Sequence, residues 1–333
     1  MNNTKQETDN SVINYILLFF LIAVSGIPYF YTSDLLLVIG VLFSFFVFWK
    51  KNNKFNIPSL GVIAAFVFVE FSQAINFQAF ELRTMAGTLT RLFLAYFVIA
   101  TLGSKFFRLY PKIIYHLAVV GLLIYGITLI PGIGDFLLNS ISPIFVSPFD
   151  ESGQFYKAHR TMLVYNLEHV ESLRNSGPFW EPGAYAIFLI FAQILRYDGR
   201  NFFDKQGIIL FVSVITTFST SGYIGEFLFL IMILLNKRSL LSKIAIPVLL
   251  VAGFFIYSEV DFLERKIEQN IIVADYNTSS RFGSAVADFY DFIESPIIGY
   301  GRGEQRYAGR KYVSFSAEFH RNNGLSDLFV TYG

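Results

Sequence analysis

The sequence predicts an all-α membrane protein, a polytopic bundle of about ten transmembrane helices with two long loops on one side. Of the 333 residues, 54% are hydrophobic and 39 are phenylalanines, and the mean hydropathy is +0.50. Apolar stretches recur at lengths close to the roughly twenty residues that a bilayer-spanning helix requires. The predicted spans are 12–30, 34–49, 57–75, 87–103, 112–131, 183–196, 206–219, 222–236 and 240–257, with the start of a tenth at 323.

The distribution of lysine and arginine predicts the orientation of these spans. Cationic residues of short loops stay in the cytoplasm, and here they fall at every second junction. They are Lys5, Lys50, Lys51, Lys54, Lys105, Arg108, Lys112, Arg196, Arg200, Lys205, Lys237, Arg238 and Lys243. The alternate short junctions are 31–33, 76–86 and 220–221, and their only lysine or arginine is Arg83. We therefore expect a cytoplasmic N-terminus, with the first outer loop at 132–182 and the second at 258–322.

Charge and cysteine content exclude several classes of site. A net charge of +1 with no long basic tract argues against nucleic acid as a partner. The absence of cysteine excludes disulfides, thiolate catalysis and cysteine metal ligands. We expect one membrane domain over 1–333, and a truncated C-terminus because Gly333 stands about eleven residues into the last apolar stretch.

The second outer loop contains two predicted helices and a glycine-rich turn. Apolar residues recur at helical spacing over 260–271, which indicates an amphipathic helix. Another helix is expected to begin after Ser279 or Ser280 and to stop at Pro296. The turn at 296–303 has three glycines but lacks the Lys-Ser/Thr ending of a nucleotide-binding P-loop, which favours a structural turn.

The first outer loop ends in a dense polar segment, 173–186, that leads directly into a membrane helix. Pro182 suits the first helical position, which places a helix N-terminus beside Arg174 and the interfacial Trp180. Backbone N–H groups and a guanidinium together suit an anion. Two roles stay open for Glu181, stabilisation of the helix end or contact with a sugar hydroxyl as ligand or base.

Three ionisable residues are predicted to lie about one helical turn below the outer surface. They are Glu70, Arg91 and Glu226. Charges inside a membrane usually face a cavity or one another. Two alternatives follow, a glutamate–arginine pair that joins helices or a wet pocket near the outer headgroups. His116, near the cytoplasmic end of its span, is interpreted as interfacial.

Four stretches resemble the O-antigen polymerase and O-antigen ligase family of bacterial envelope glycosyltransferases, in the family's order. They are 174–183 with its Arg, Gly, aromatic and Glu-Pro pattern, the serine-rich break 217–225, the pair Ser280–Arg281 with Pro296–Gly301, and the run from Asn323 to Gly333. Ligases usually carry a histidine directly before that asparagine, where this chain has Asn322 and the nearest histidine is His320. This departure weakens the ligase alternative. The arginine–glycine spacing of fifteen residues that some polymerases carry is not matched either, since sixteen residues separate Arg160 from Gly177 and seventeen separate Arg281 from Gly299.

The resemblance implies a GT-C-like enzyme of the cytoplasmic (inner) membrane, with both long loops periplasmic or extracellular. It would polymerise undecaprenyl-diphosphate-linked repeat units into O-antigen, capsule or exopolysaccharide, with a flippase and a chain-length regulator as further partners. An O-antigen ligase acting on lipid A core is the alternative. A lipid or solute transporter should show paired helix breaks near mid-membrane, which this sequence lacks. A scaffold gives no reason for the many outer arginines.

The resemblance also assigns roles to particular residues. Arg174 and Arg281 are expected to stabilise the diphosphate, with Arg160, Arg302, Arg306 and Arg310 as further candidates. Arg91 and Glu70 would line the wet pocket. His320 or Glu181 would deprotonate the acceptor hydroxyl, with Glu318 as another base. No cofactor is expected, and the absence of an Asp-x-Asp pair from either outer loop or of closely spaced histidines predicts metal-independent transfer.

Overall fold

The part of the chain that the structure describes is mostly α-helical, which confirms the predicted all-α class for that part. The structure is a computed structural model, and it describes residues 12–31, 33–78, 80, 82–145, 161–170, 172–197, 202, 204–236, 247, 281–301 and 324–333. The predicted span 240–257 and the predicted amphipathic helix 260–271 lie essentially outside these residues.

Twelve helices are described within these residues. In chain order they are α1 (Val12–Gly26), α2 (Pro28–Tyr31), α3 (Asp34–Lys50), α4 (Ile57–Asn76), α5 (Leu82–Leu102), α6 (Lys105–Thr128), α7 (Ile133–Phe136), α8 (Pro182–Arg196), α9 (Lys205–Thr216), α10 (Thr220–Asn236), α11 (Arg281–Glu294) and α12 (Gly324–Tyr332). A π-helical turn and a 3-10 turn continue α7 through Phe145. A short antiparallel hairpin joins β1 (Thr161–Met162) to β2 (Tyr165–Asn166), with Met162 opposite Tyr165.

Three of the described helices are long and apolar enough to cross a membrane, namely α4, α5 and α6. The other predicted spans that the structure describes form shorter helices. The predicted span 12–30 is broken after Gly26, because Pro28 cannot continue the helical hydrogen bonding. By contrast, α6 begins at Lys105, seven residues before the predicted start at 112. Its first turns contain charged residues, which form helix but do not count toward the apolar stretch from which the span was predicted.

Side-chain caps fix several helix starts. Ser33 accepts a hydrogen bond from Leu36 N, and Asn56 accepts one from Ser59 N. Asp204 caps α9 by accepting from Gly207 N. These short polar residues satisfy backbone N–H groups that have no partner inside the helix.

The chain forms two compact units, the first made of Met1–Lys54 and Thr90–Ile246. Its core centres on α8, which packs against α6, α9 and α10. Small residues allow this close packing, since Ala184, Ala186 and Ala192 of α8 are fully or almost fully buried. The buried ring of Tyr185 packs beside Gly121 of α6. The start of α8 is therefore held by packing on three neighbouring helices.

The second unit comprises Phe55–Leu89 and Pro247–Gly333. In its described residues α11 packs against α12. The turn after α11 is hydrogen-bonded to the end of α12, because Tyr300 N donates to Val330 O at 2.9 Å and Gly301 N donates to Thr331 O at 3.1 Å. Two glycines of this turn have a positive φ, Gly299 (65°) and Gly301 (70°).

Candidate functional site

The candidate site is the N-terminal end of α8. Pro182 is the first helical residue, as predicted, and Glu181 is the extended N-cap residue, whose side chain makes no capping hydrogen bond. The Glu181 carboxylate therefore does not hold the first-turn N–H groups of α8. Those groups and the positive end of the helix dipole face the segment before the helix, where an anion is favoured.

The segment before α8 is tied to the end of α9. Asn175 N donates to Thr216 O at 2.9 Å, and Asn175 Nδ2 donates to Thr216 Oγ1 at 2.9 Å. Half-buried Arg174 donates through Nε to Thr217 O at 3.1 Å. The structure thus brings together two stretches, 174–183 and 217–225, that the sequence treats as separate motifs.

The side chain of Asn166 is hydrogen-bonded to the same segment before α8. Its buried side chain donates to Phe179 O at 3.0 Å and to Trp180 O at 3.1 Å. Its carbonyl oxygen Oδ1 accepts from Glu168 N at 3.0 Å. Asn166 is not predicted from the sequence as part of the site, because no motif or spacing distinguishes one asparagine of a polar loop from its neighbours.

Two serines complete the surroundings of the helix start. An ideal Cβ placed on Gly183 would lie 3.4 Å from Ser219 Oγ, 3.5 Å from Glu181 Oε1 and 3.7 Å from Ser221 Oγ. The two serine hydroxyls are 3.0 Å apart and share a hydrogen bond. A carboxylate and two hydroxyls therefore surround a glycine that allows close approach to the backbone.

His169 lies within electrostatic range of Arg174 and Glu181. Burial lowers the pKa of His169, and Arg174 acts in the same direction, whereas Glu168, Glu181 and the Trp180 carbonyl that accepts from the ring oppose them. An imidazole with a lowered pKa is neutral at pH 7 and can accept a proton. From the sequence, His320 is the histidine predicted as the base. The structure adds His169 as a second candidate, and its position in the same loop as Glu181 is the signal by which the sequence could have indicated it.

Arg91 and an aromatic pair lie in the same unit. The Arg91 guanidinium is 5.5 Å from the centre of the Tyr31 ring and donates to Tyr31 O at 3.3 Å. The Tyr31 and Trp180 rings are 6.2 Å apart. Glu226 accepts from Gln193 at 2.8 Å, so the glutamate–arginine pair predicted from their shared depth is not formed between Glu226 and Arg91.

No family model, curated protein or solved structure matches the chain. The family resemblance therefore stays a prediction from the motifs.

The remaining predicted site residues divide into two groups. In the second unit, Glu70 is buried and accepts from the Tyr332 hydroxyl at 2.7 Å, which gives it a partner in α12 in place of open solvent. Arg281 is the first residue of α11. The others lie outside the described residues, and they are Arg160, Arg302, Arg306, Arg310, Glu318 and His320.

Proposed function

We propose that the protein is a membrane glycosyltransferase that polymerises undecaprenyl-diphosphate-linked oligosaccharide repeat units at the outer face of the cytoplasmic membrane. One observation supports this most directly. Arg174 and Glu181 lie within electrostatic range of His169. Glu181 is the N-cap residue of α8 and makes no side-chain capping hydrogen bond, and Ser219 and Ser221 lie beside Gly183 in the first turn. A cation, a helix end and candidate bases are the groups that transfer from a diphosphate carrier requires.

The proposed reaction is a single displacement or its two-step equivalent. The acceptor hydroxyl oxygen forms a bond to the anomeric carbon of the lipid-linked glycan, and the bond from that carbon to the diphosphate oxygen breaks. The hydroxyl proton passes to a base, and undecaprenyl diphosphate leaves with the bonding electron pair. Glu181 and His169 are candidate bases in the described loop, and His320 stays a candidate from the sequence.

Arg174 is proposed to stabilise the leaving diphosphate together with the first-turn N–H groups of α8. Its Nε is held by Thr217 O at 3.1 Å, which fixes the plane of the guanidinium before substrate binds. Pre-organised donors of this kind typically contribute about 100- to 1000-fold in rate. A lysine cannot present the same planar pair of donors.

The test uses the purified chain in proteoliposomes with lipid-linked repeat units. We expect Arg174→Ala to lower kcat/KM by about 100-fold or more, and Arg174→Lys to recover only part of this loss. Arg108→Ala is the matched control. It also removes a guanidinium, but from an exposed residue in the first turn of α6, at the end of that helix away from the start of α8. Wild-type rates from Arg174→Ala would contradict the assignment.

The product distinguishes the alternatives within the same assay. Oligomers formed without lipid A core indicate a polymerase, and glycan attached to added core indicates a ligase. Movement of intact lipid-linked units across the vesicle membrane without new glycosidic bonds would indicate a transporter, and would overturn the proposal.

A further inference from the structure

Helix α11 has its polar side buried and its apolar side exposed. The buried residues are Ser284, Ala287, Asp288 and Asp291, each at most 1% exposed. The exposed ones are Phe289 (59%), Tyr290 (46%) and Ile293 (54%). A helix in water has the opposite arrangement. A buried polar side with exposed aromatic residues is the informative case, since it indicates contact with something other than water.

The buried polar side of α11 faces α12. Ser326 Oγ donates to Asp288 Oδ2 at 2.6 Å, and the rings of Phe292 and Phe329 are 6.0 Å apart. The position of α12 therefore determines the position of α11.

The C-terminal end of α12 is joined to the membrane-span candidate α4. Gln73 donates to Thr331 O, and Tyr332 reaches deeper, with its hydroxyl on Glu70 and its ring 5.1 Å from Phe66. The last two residues of α12 thus contact α4 at positions 66, 70 and 73, which lie three to ten residues before its last residue, Asn76.

The turn after α11 is joined to the same end of α4. Gln73 donates to Ile298 O in that turn as well as to Thr331 O. Gln73 stands three residues before Asn76, which is about 4.5 Å at 1.5 Å per residue. The turn that ends α11 therefore lies within about one helical turn of the end of α4.

We propose that α11 lies in the membrane boundary at the Asn76 end of α4, with Phe289, Tyr290 and Ile293 among lipid chains. The turn after α11 continues this surface, because Ile297 is 82% exposed while the neighbouring Ile298 O accepts from Gln73. From the sequence, this helix is predicted only as part of the second outer loop, with no contact with lipid. It depends on the membrane-span assignment of α4 and not on the glycosyltransferase proposal.

The test uses single cysteines, which the natural chain allows because it contains none. Phe289→Cys and Ile293→Cys are labelled with an environment-sensitive fluorophore and reconstituted in vesicles. Quenching is then measured with nitroxide on carbon 5 of the lipid chains and with aqueous iodide. Phe68→Cys on α4, where Phe68 is 73% exposed, is the lipid control. Asn139→Cys, at an exposed position of the first outer loop, is the water control.

We expect both α11 labels to be quenched by lipid nitroxide at least half as strongly as the Phe68→Cys label, and by iodide at least twofold less than the Asn139→Cys label. Iodide quenching equal to the water control at either position would place α11 in water and overturn the proposal. Protection from both quenchers would mean that protein covers the surface, which also overturns it. Tyr290→Cys provides a third position if one variant fails to reconstitute.

Discussion

Asn166 offers the sharpest test of how the candidate site is built. Its side chain makes three hydrogen bonds, to Phe179 O, Trp180 O and Glu168 N, and it is fully buried. Each such bond contributes about 1 kcal/mol net. Asn166→Ala should therefore lower the free energy of unfolding by about 3 kcal/mol.

A second substitution separates hydrogen bonding from size. Asn166→Asp is almost isosteric and keeps the acceptor for Glu168 N, but it replaces the two donated hydrogen bonds by a carboxylate facing two carbonyl oxygens. Burying a charge without partners costs several kcal/mol. We expect Asn166→Asp to destabilise the protein more than Asn166→Ala at pH 7.

The assay can report on the segment itself. The chain has two tryptophans, so Trp49→Phe leaves Trp180 as the sole tryptophan, and Asn166 donates to the backbone carbonyl of that residue. Thermal unfolding and the emission maximum of Trp180 are measured in this background, where Trp49 was 66% exposed. An unchanged transition and an unchanged emission maximum in Asn166→Ala would refute the reasoning.

The other predictions concern stability. Gly177→Ala should lower the free energy of unfolding more than Gly103→Ala. Both glycines have a φ near 50°, which is unfavourable for alanine, but only a Cβ at Gly177 would meet Tyr185, at 2.7 Å. Thermal unfolding of both variants checks this difference. Burial lowers the pKa of His169 from 6.5, so the unfolded chain binds a proton at this imidazole more readily than the folded one. The free energy of unfolding should therefore fall as the pH drops below about 6.5. His169→Gln should remove this part of the pH dependence of stability. Gln73→Glu removes a donor shared by two carbonyls and should lower the unfolding temperature, whereas Gln78→Glu, in the loop after α4, should not.

The sequence predicts those features of the site that depend on local chemistry. Pro182 marks the start of α8 because its ring suits the first helical turn, and Pro296 follows the end of α11 because the residue before a proline avoids helical geometry. Glycines 299 and 301 have the left-handed backbone expected of a glycine-rich turn. These signals lie within a few residues of the feature they predict.

The rest depends on contacts between distant segments, which periodicity and spacing do not reveal. His169 lies within electrostatic range of Arg174 and Glu181, and Arg174 is oriented by Thr217 of a different segment. The partners of Glu226 and Glu70 are equally distant, at Gln193 and Tyr332. Similar depth along the predicted spans predicts a glutamate–arginine pair as one alternative, but Glu226 is paired with the Gln193 amide instead of Arg91.

The bond between Asn175 and Thr216 joins residues 41 apart in the chain. At a synthesis rate of 5–20 residues per second, the ribosome needs roughly 2–8 s to make that stretch. The loop before α8 consequently emerges without the partner that shapes it and acquires its form only once α9 has been synthesised. A nascent chain arrested between these two helices would carry Arg174 and Glu181 but not their arrangement.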